Sequence, residues 1–419
     1  MKSPRATSVQ NLQKVLAVNG KINSSLDLDE LLGIIMTTAS EVMRTEAASL
    51  MLLDKKTNDL EFRVALGCKA SNLKESFRIK MGEGIAGAVA KSGKSIVVND
   101  VRKDKRFAGR FDKSTGFVTK AILCVPMHVQ GKITGVLEAI NPRHPFSQND
   151  LHLFEIFADQ AAIAAENARL HGELVSQERA KQELKIAHEI QQNFLPDFTQ
   201  NSFPVEIAAQ NIPARDVGGD FYDAVRIDSS KTGIIIGDVS GKGVPAALYM
   251  VRAISEYRYL SLRFTDPSEV LTKLNDVLAR DNRFAMFVTL LYGVLDHERQ
   301  TLTLASAGHP PVLRKNAKTG KLEALENAGG IPVGMMEGSE YSQVEIPVSA
   351  GDVLFLYTDG VTEARDQKGK EYTGEGLKLS AAKKCATARE YAEQLLEDLK
   401  IFTRGAEPHD DITVIAVKI

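Results

Sequence analysis

The sequence predicts an α+β protein of two globular units joined by a helical rod. Three observations lead there. The hydrophobic period switches repeatedly between 2 and 3.6 residues, and in both halves strands are grouped with strands and helices with helices. One helical pattern runs almost unbroken from Asp150 to about Phe194, longer than a single compact domain uses. At roughly 150 residues per domain, 419 residues make two or three domains.

Residues 1–20 are polar with a short apolar patch and read as an N-terminal arm. From Asp27 to Met43, Leu31, Leu32, Ile35, Met36, Ala39 and Val42 recur at helical spacing behind an acidic first turn. Strands are expected at 47–53 and 60–66, a short helix at 83–91, and strands at 94–98, 120–128 and 132–140. The long helix follows and Pro196 stops it. Its first half is apolar (Leu153, Phe154, Ile156, Phe157, Ala161), whereas its second half is mostly charged and amide residues. Strands return at 205–211, 219–227 and 232–239. Helices at 243–262 and 267–281 precede strands at 286–295, 300–306 and 352–358, and a helix near 387–403 leads to a last strand, Ile412–Val417. The domain boundaries expected are 1–20, 21–165, 166–195 for the helical linker, and 196–419.

A seven-residue pattern through the rod takes in Ile163, Asn167, Leu170, Leu174, Gln177, Lys181, Leu184, His188 and Gln191. Five of these nine are polar or charged, so the seam suits a weak, adjustable coiled coil in a parallel homodimer rather than a strong one. The competing reading is one amphipathic helix packed on its own C-terminal unit.

Composition narrows the function. Lys+Arg number 52 against 54 Asp+Glu, a net charge of −2, so no broad basic field exists for nucleic acid or anionic lipid. Cys68, Cys124 and Cys385 lie far apart without a CxxC, which excludes a disulfide framework or thiolate zinc site. The N-terminus MKSPRATSVQNLQ has no apolar core, and no run approaches ~18 apolar residues, so the expectation is a cytoplasmic protein with neither membrane nor nucleic-acid partners.

The chemistry concentrates in four segments where Asp ends or interrupts an apolar strand beside Gly: RDVGGDFYD (215–223), IGDVSGKG (236–243), YTDGVTEARD (357–366) and HDDITVIAV (409–417). A charge at such a place costs several kcal/mol unless it is paired or binds a cation. Glycine lets the backbone approach an ion, and oxygen-only donors favour Mg²⁺ or Mn²⁺ over Zn²⁺. Asp-Gly turns between strands are common, but four of them on strongly apolar strands favour a metal–carboxylate centre. No GxxxxGK[ST], HExxH or GxSxG motif offers a rival, and Lys242 in SGKG is not a P-loop lysine.

These segments, in this order, with PAR-x-VGGDFYD, GDVSGKGVPAAL, SAGHPP, YTDGVTEA and DDITV together, resemble the metal-dependent (PPM) protein phosphatases over 196–419. The nearer resemblance is to the bacterial stage II sporulation E and stress-response branch. It implies an αββα sandwich and hydrolysis of phosphoserine or phosphothreonine with two Mn²⁺ or Mg²⁺ ions. By that resemblance Asp220 is the first metal carboxylate and Asp238 bridges both ions. Val239 lends a backbone carbonyl, and Asp359 and Asp410 complete the second ion's ligands. It also implies that the substrate is a phosphorylated regulator, an anti-anti-sigma factor.

Other residues of these segments divide by placement. Arg215, five residues before Asp220, is placed to grip a phosphate; a surface salt bridge is its other reading. Asp223 is a candidate to hold a water near the metals, His309 reads as a turn histidine rather than a general acid, and Asp411 should point away from Asp410 as a structural residue.

Residues 21–165 resemble a GAF domain, an α/β sandwich that senses a small molecule or dimerises. The resemblance is carried by LDLDELLGIIMTTASEVMRTEAASLMLLD, by FRIKMGEGIAGAVAKSGKSIVVNDVRKDKRF and by GVLEAINPRHPFSQNDLHLFEIFADQAAIAAENARL. Asn141, Phe146 and Asp150 fit the signature of cyclic-nucleotide-binding members, but Pro142 and Leu151 replace its Lys and Glu, which argues against that ligand. An unknown signal at the GAF domain controlling the phosphatase is the expected logic. The alternative is a non-catalytic module, in which a phosphatase-like domain docks a partner.

Overall fold

The computed structural model describes residues 27–419 apart from 68–76, 108, 110–111, 114–115, 199–202, 281, 327–328 and 407. The expected arm at 1–20 lies outside the described residues. The chain divides into two compact units, 1–179 and 180–419.

In the first unit, the Asp27 carboxylate caps α1 (Leu28–Met43) by accepting from the amides of Asp29 and Glu30, and Arg44 closes the helix in the left-handed region at φ 53°. β1 (Thr45–Leu53), β2 (Asp59–Leu66), β3 (Arg78–Lys80), β4 (Ile96–Val98), β5 (Ile122–Val129) and β6 (Lys132–Pro142) form one antiparallel sheet in the order β3-β2-β1-β6-β5-β4. Alternation gives this sheet two apolar faces. One carries Leu50, Leu123, Val125 and Leu137 and packs against α1 and the first half of α3 (Gln148–Gln192), with Phe154 and Phe157 fully buried. The other carries Met51, Phe62, Cys124 and Val136 and packs against α2 (Gly84–Ser92).

α3 is a single helix of 45 residues. In the stretch from Glu166 onward, Arg169 pairs with Glu166 at 2.6 Å and with Glu173 at 2.5 Å, the i,i+3 and i,i+4 neighbours expected on an exposed helical surface.

The second unit is a sandwich of two antiparallel five-stranded sheets, β14-β11-β10-β9-β8 and β13-β12-β15-β16-β7. Their strands are β7 (Glu206–Ile212), β8 (Phe221–Arg226), β9 (Lys231–Val239), β10 (Val288–Asp296), β11 (Thr301–Ala307), β12 (Leu313–Lys315), β13 (Leu322–Ala324), β14 (Val344–Pro347), β15 (Val353–Tyr357) and β16 (Ile412–Lys418). Alternate residues of β15 and β16 face opposite ways. Leu354, Leu356, Ile415 and Val417 join the core shared with the first sheet and with α4 (Val244–Ser261) and α5 (Pro267–Ala279). Phe355, Tyr357, Val414 and Ala416 pack outward with α7 (Thr373–Ala381) and α8 (Ala388–Thr403), beside the one-turn α6 (Asp359–Thr362). The helix–sheet–sheet–helix layering is the αββα architecture expected. The short strands β3, β12, β13 and β14 and the helices α6 and α7 went unforeseen.

Truncating Phe154, fully buried between α3 and the sheet, should destabilise the first unit by about 3–5 kcal/mol. Chemical unfolding followed by circular dichroism will show the midpoint of Phe154→Ala shifted with an unchanged slope.

Candidate active site

The aspartates of the four segments arrive on four strand ends. Asp220 immediately precedes β8, Asp238 is the penultimate residue of β9, Asp359 opens α6 two residues after β15, and Asp410 lies two residues before β16. They act on one another electrostatically. Burial first, then the charge of Asp238, pushes the Asp220 carboxyl well above the usual range, against the pull of the Thr413 and Thr358 hydroxyls. Burial and then the charges of Asp359 and Asp410 raise Asp238, and burial and then Asp410 raise Asp359. Asp410 is half-exposed and pairs with the Lys242 ammonium at 2.9 Å.

Asp220 is held on one side only. Its Oδ2 accepts from Thr358 Oγ1 at 2.8 Å and Thr413 Oγ1 at 2.6 Å, whereas its buried Oδ1 has no hydrogen-bond partner. Among the described residues no other carboxylate oxygen is buried and unpartnered. An acceptor left dry in this way fits a cation better than it fits a packed core. The donors are hard oxygens, and the Val239 carbonyl faces the same loop: a Cβ on Gly219 would come within 2.9 Å of it. Among the described residues no three acidic, histidine or cysteine side chains yet close around one point as a finished cation cage. The carboxylates are gathered without being drawn together.

The loop carrying Asp220 is clamped from two directions. Asp411 accepts from the amide of Ala214 at 2.7 Å and from that of Gly219 at 2.6 Å. It is buried, and its role is structural, as its place beside Asp410 suggested. Gln191, in the last turn of α3, donates to the Gly218 carbonyl at 2.6 Å and accepts from the Gly218 amide at 3.2 Å. Gln191 therefore belongs to the core of the second unit and not to the heptad seam drawn through it. Gly360 is needed because a Cβ there would meet the Asp411 carbonyl at 1.9 Å, which ties α6 against β16.

Other expectations sort differently. Asp223, a candidate to hold a water near the metals, is engaged elsewhere: its buried Oδ2 accepts from Nε of the half-exposed Arg258 of α4 at 2.6 Å, which ties α4 to β8. His309 is buried beneath the sheet, its Nδ1 3.0 Å from Thr289 Oγ1, and burial pulls it down to about 3, so it is a neutral structural imidazole. Arg215 is exposed and makes no ion pair among the described residues. Asn141, of the cyclic-nucleotide signature, spends its amide internally, donating to Glu46 and the Val118 carbonyl and accepting from the amides of Lys120 and Ala121. Sequence reasoning missed Gln191, Thr358 and Thr413. A threonine beside Asp in two of the four motifs, T-D-G and D-D-I-T, was the available signal for the last two.

The model of stage II sporulation protein E matches residues 228–419, a span that contains Asp238, Asp359 and Asp410 and begins just after Asp220; the GAF domain model matches 27–165. Phosphoserine phosphatase RsbU of Bacillus subtilis is 32% identical over 268 residues, which cover 64% of this chain and 78% of that protein. The chain belongs to the SpoIIE-type PPM phosphatases. Protein IcfG of Synechocystis is 32% identical over 262 residues, 56% of this chain and 41% of that protein. Among solved structures, the PP2C domain of SiaA from Pseudomonas aeruginosa superposes with a TM-score of 0.53 at 21% identity, covering 58% of this chain and 98% of that one; it shares the fold. SpoIIE-type membership and an N-terminal GAF domain are thus as the motifs implied. Among the described residues no helix is long and apolar enough to cross a membrane.

Thr413→Val keeps the shape of a fully buried side chain and removes one of the two hydroxyls on Asp220. It should cost about 1–3 kcal/mol, read as a lowered urea midpoint with unchanged slope.

Proposed function

We propose that the chain hydrolyses phosphoserine or phosphothreonine on a regulatory phosphoprotein, an anti-anti-sigma factor, under the control of its GAF domain. The observation that carries this reading is the dry Oδ1 of Asp220 among carboxylates that raise one another's proton affinity. That arrangement is poised for positive charge. Two Mg²⁺ or Mn²⁺ ions held by Asp220, Asp238, the Val239 carbonyl, Asp359 and Asp410 would supply Lewis-acid polarisation of the phosphoryl group and activation of water.

The chain's own residues do the rest. Thr358 and Thr413 hold Asp220 by one oxygen so that the other stays directed away from the hydroxyls. Asp411 and Gln191 fix the 214–219 backbone that presents it. Lys242 partly neutralises Asp410 and moderates repulsion in the cluster. Arg215, exposed and without an ion pair among the described residues, can take a phosphate oxygen pair bidentately. RsbU, by its name, acts on phosphoserine, which supports the same substrate chemistry here.

Within α3, Ile156, Ile163, Leu170 and Leu174 are 40–64% exposed at spacings of seven, seven and four residues. That stripe supports self-association as a parallel homodimer, with 166–195 as the linker between sensor (21–165) and phosphatase (196–419).

Chelation should abolish turnover of an aryl phosphate and of a phosphoserine peptide, and added Mn²⁺ or Mg²⁺ should restore both while Zn²⁺ does so poorly. Full activity in excess chelator would overturn the reading. Asp238→Asn, folded by circular dichroism, should lose at least about 10²–10³-fold in kcat, measured by phosphate release. Wild-type turnover in that variant would remove Asp238 from the site.

A further inference from the structure

The two segments that carry Asp359 and Asp410 also border one surface cleft of the second unit. After α6, residues 364–372 form a tight hairpin: the Tyr372 amide donates to the Ala364 carbonyl at 2.9 Å, and the Asp366 amide to the Lys370 carbonyl at 3.0 Å. Ahead of Asp410, α8 closes at Arg404 in the left-handed region, φ 51°. The hairpin rests on that helix end. The Tyr372 ring lies edge-on to Phe402 at 5.2 Å between centroids, and Gln367 Nε2 donates to the Arg404 carbonyl at 3.4 Å. Between hairpin and helix end is a cleft of about 310 Å³, whose lining includes Asp366, Lys368, Lys370, Ile401, Phe402 and Arg404.

The described lining carries an excess of positive charge over an apolar floor. Lys368, Lys370 and Arg404 are exposed, and among the described residues none of the three forms an ion pair. Arg365, by contrast, is spent on Glu371 at 2.8 Å within the same hairpin. The one carboxylate of the described lining, Asp366, is turned to its own loop, accepting from the amides of Lys368 at 2.8 Å and Lys370 at 2.9 Å. The Lys370 amide foremost holds that carboxyl below the usual range, and the two lysine ammoniums add only a longer-range pull. Three cations thus meet one anion that is already engaged. Beside them Ile401 is 64% exposed, a large aliphatic side chain left in water. Like charges gathered on a closed hairpin and a helix end repel one another until an anion comes between them.

We propose that this cleft docks an extended acidic segment of the phosphoprotein substrate, with carboxylates on Lys368, Lys370 and Arg404 and an aliphatic side chain against Ile401 and Phe402. The inference rests on the phosphatase reading and adds a specificity site to it. Chain continuity limits the reach. Arg404 lies six residues before Asp410 and Asp366 seven after Asp359, so each is within roughly 25 Å of that aspartate. A substrate strand covers such a distance in about four to seven residues, which sets the spacing between phosphoserine and acidic run. An anionic membrane fits less well: the chain as a whole carries −2, and three cations in a concave cleft make no broad basic face.

The test uses the whole chain with Mn²⁺ and phosphoserine peptides that carry a run of Glu, Gln or Lys at that spacing, on either side of the phosphoserine. At about 50 mM salt the better of the two Glu peptides should show a KM about threefold to tenfold below its Gln counterpart at similar kcat, and the gap should shrink at about 300 mM. Fluorescence anisotropy with the unphosphorylated peptides should give the same order of affinity. Lys368→Glu combined with Lys370→Glu and Arg404→Glu, folded by circular dichroism, should erase or reverse the preference. The milder pair Lys368→Gln and Lys370→Gln, which should reduce it by about half, decides the matter if the triple variant fails to fold. Equal KM and affinity for Glu and Gln peptides would overturn the proposal, as would an unchanged preference in a folded variant. If such a variant had instead lost binding to phosphatidylserine vesicles, the cleft would belong to lipid. Acid-selective binding without turnover of any phosphate ester would keep the cleft and overturn the phosphatase reading, whereas turnover of all peptides alike would do the reverse.

Discussion

Mutual repulsion among Asp220, Asp238, Asp359 and Asp410 is the constraint around which the second unit is built. Two unit charges ~4 Å apart repel by about 4 kcal/mol at an effective dielectric of 20, whereas a hydrogen bond to a charged group returns about 1.5–3 kcal/mol. The hydroxyls of Thr358 and Thr413 therefore offset the cost at Asp220 only in part, and burial first, then the neighbouring carboxylates, raises the proton affinity of Asp220, Asp238 and Asp359. Backbone tethers hold the group together. Asp411 grips Ala214 and Gly219, Gln191 grips Gly218, and Gly360 permits the close approach of α6 to β16. The apolar sandwich behind them supplies the stability that lets charges gather at its rim.

The division of labour between adjacent residues shows how strand geometry serves this purpose. Asp410 and Asp411 have the same chemistry, yet one is half-exposed beside Lys242 and the other is buried against two amides. In the same segment that carries Asp220, Asp223 is consumed by Arg258. Identity of side chain says little here; the direction in which the backbone sends it says most.

Much of this was legible in the sequence. Long periodic elements such as α1, α3 and the β9–β10 pair were readable because burial imposes 3.6- or 2-residue repeats over many residues. Of the strands of three or four residues, β3, β12, β13 and β14 span too little of a period to be told from loop, whereas β4 was readable from the apolar run KSIVV. The aspartates of the four segments stood out because Asp beside Gly is anomalous on an apolar strand. Gln191 could not stand out, being one amide in a helix rich in them, and its partner is a backbone group 27 residues on. Asp223 was misread because its partner, Arg258, is 35 residues away on a helix whose orientation the sequence does not specify.

The pairing of β7 with β16 has a consequence for how the molecule comes into being. Ile207 lies opposite Val417 and Ile212 opposite Ile412, so the outer strand of one sheet waits for a partner some two hundred residues later in synthesis. Until β16 emerges, β7 and β15 lack the strand that separates them, and Asp220 lacks both Thr413 and the loop clamp of Asp411. Unpaired edges of this kind invite association with other chains, and contacts so distant in sequence form slowly. A nascent chain on the ribosome thus cannot assemble the carboxylate cluster early. Catalytic competence arrives in one late step, together with the closure of the sheet.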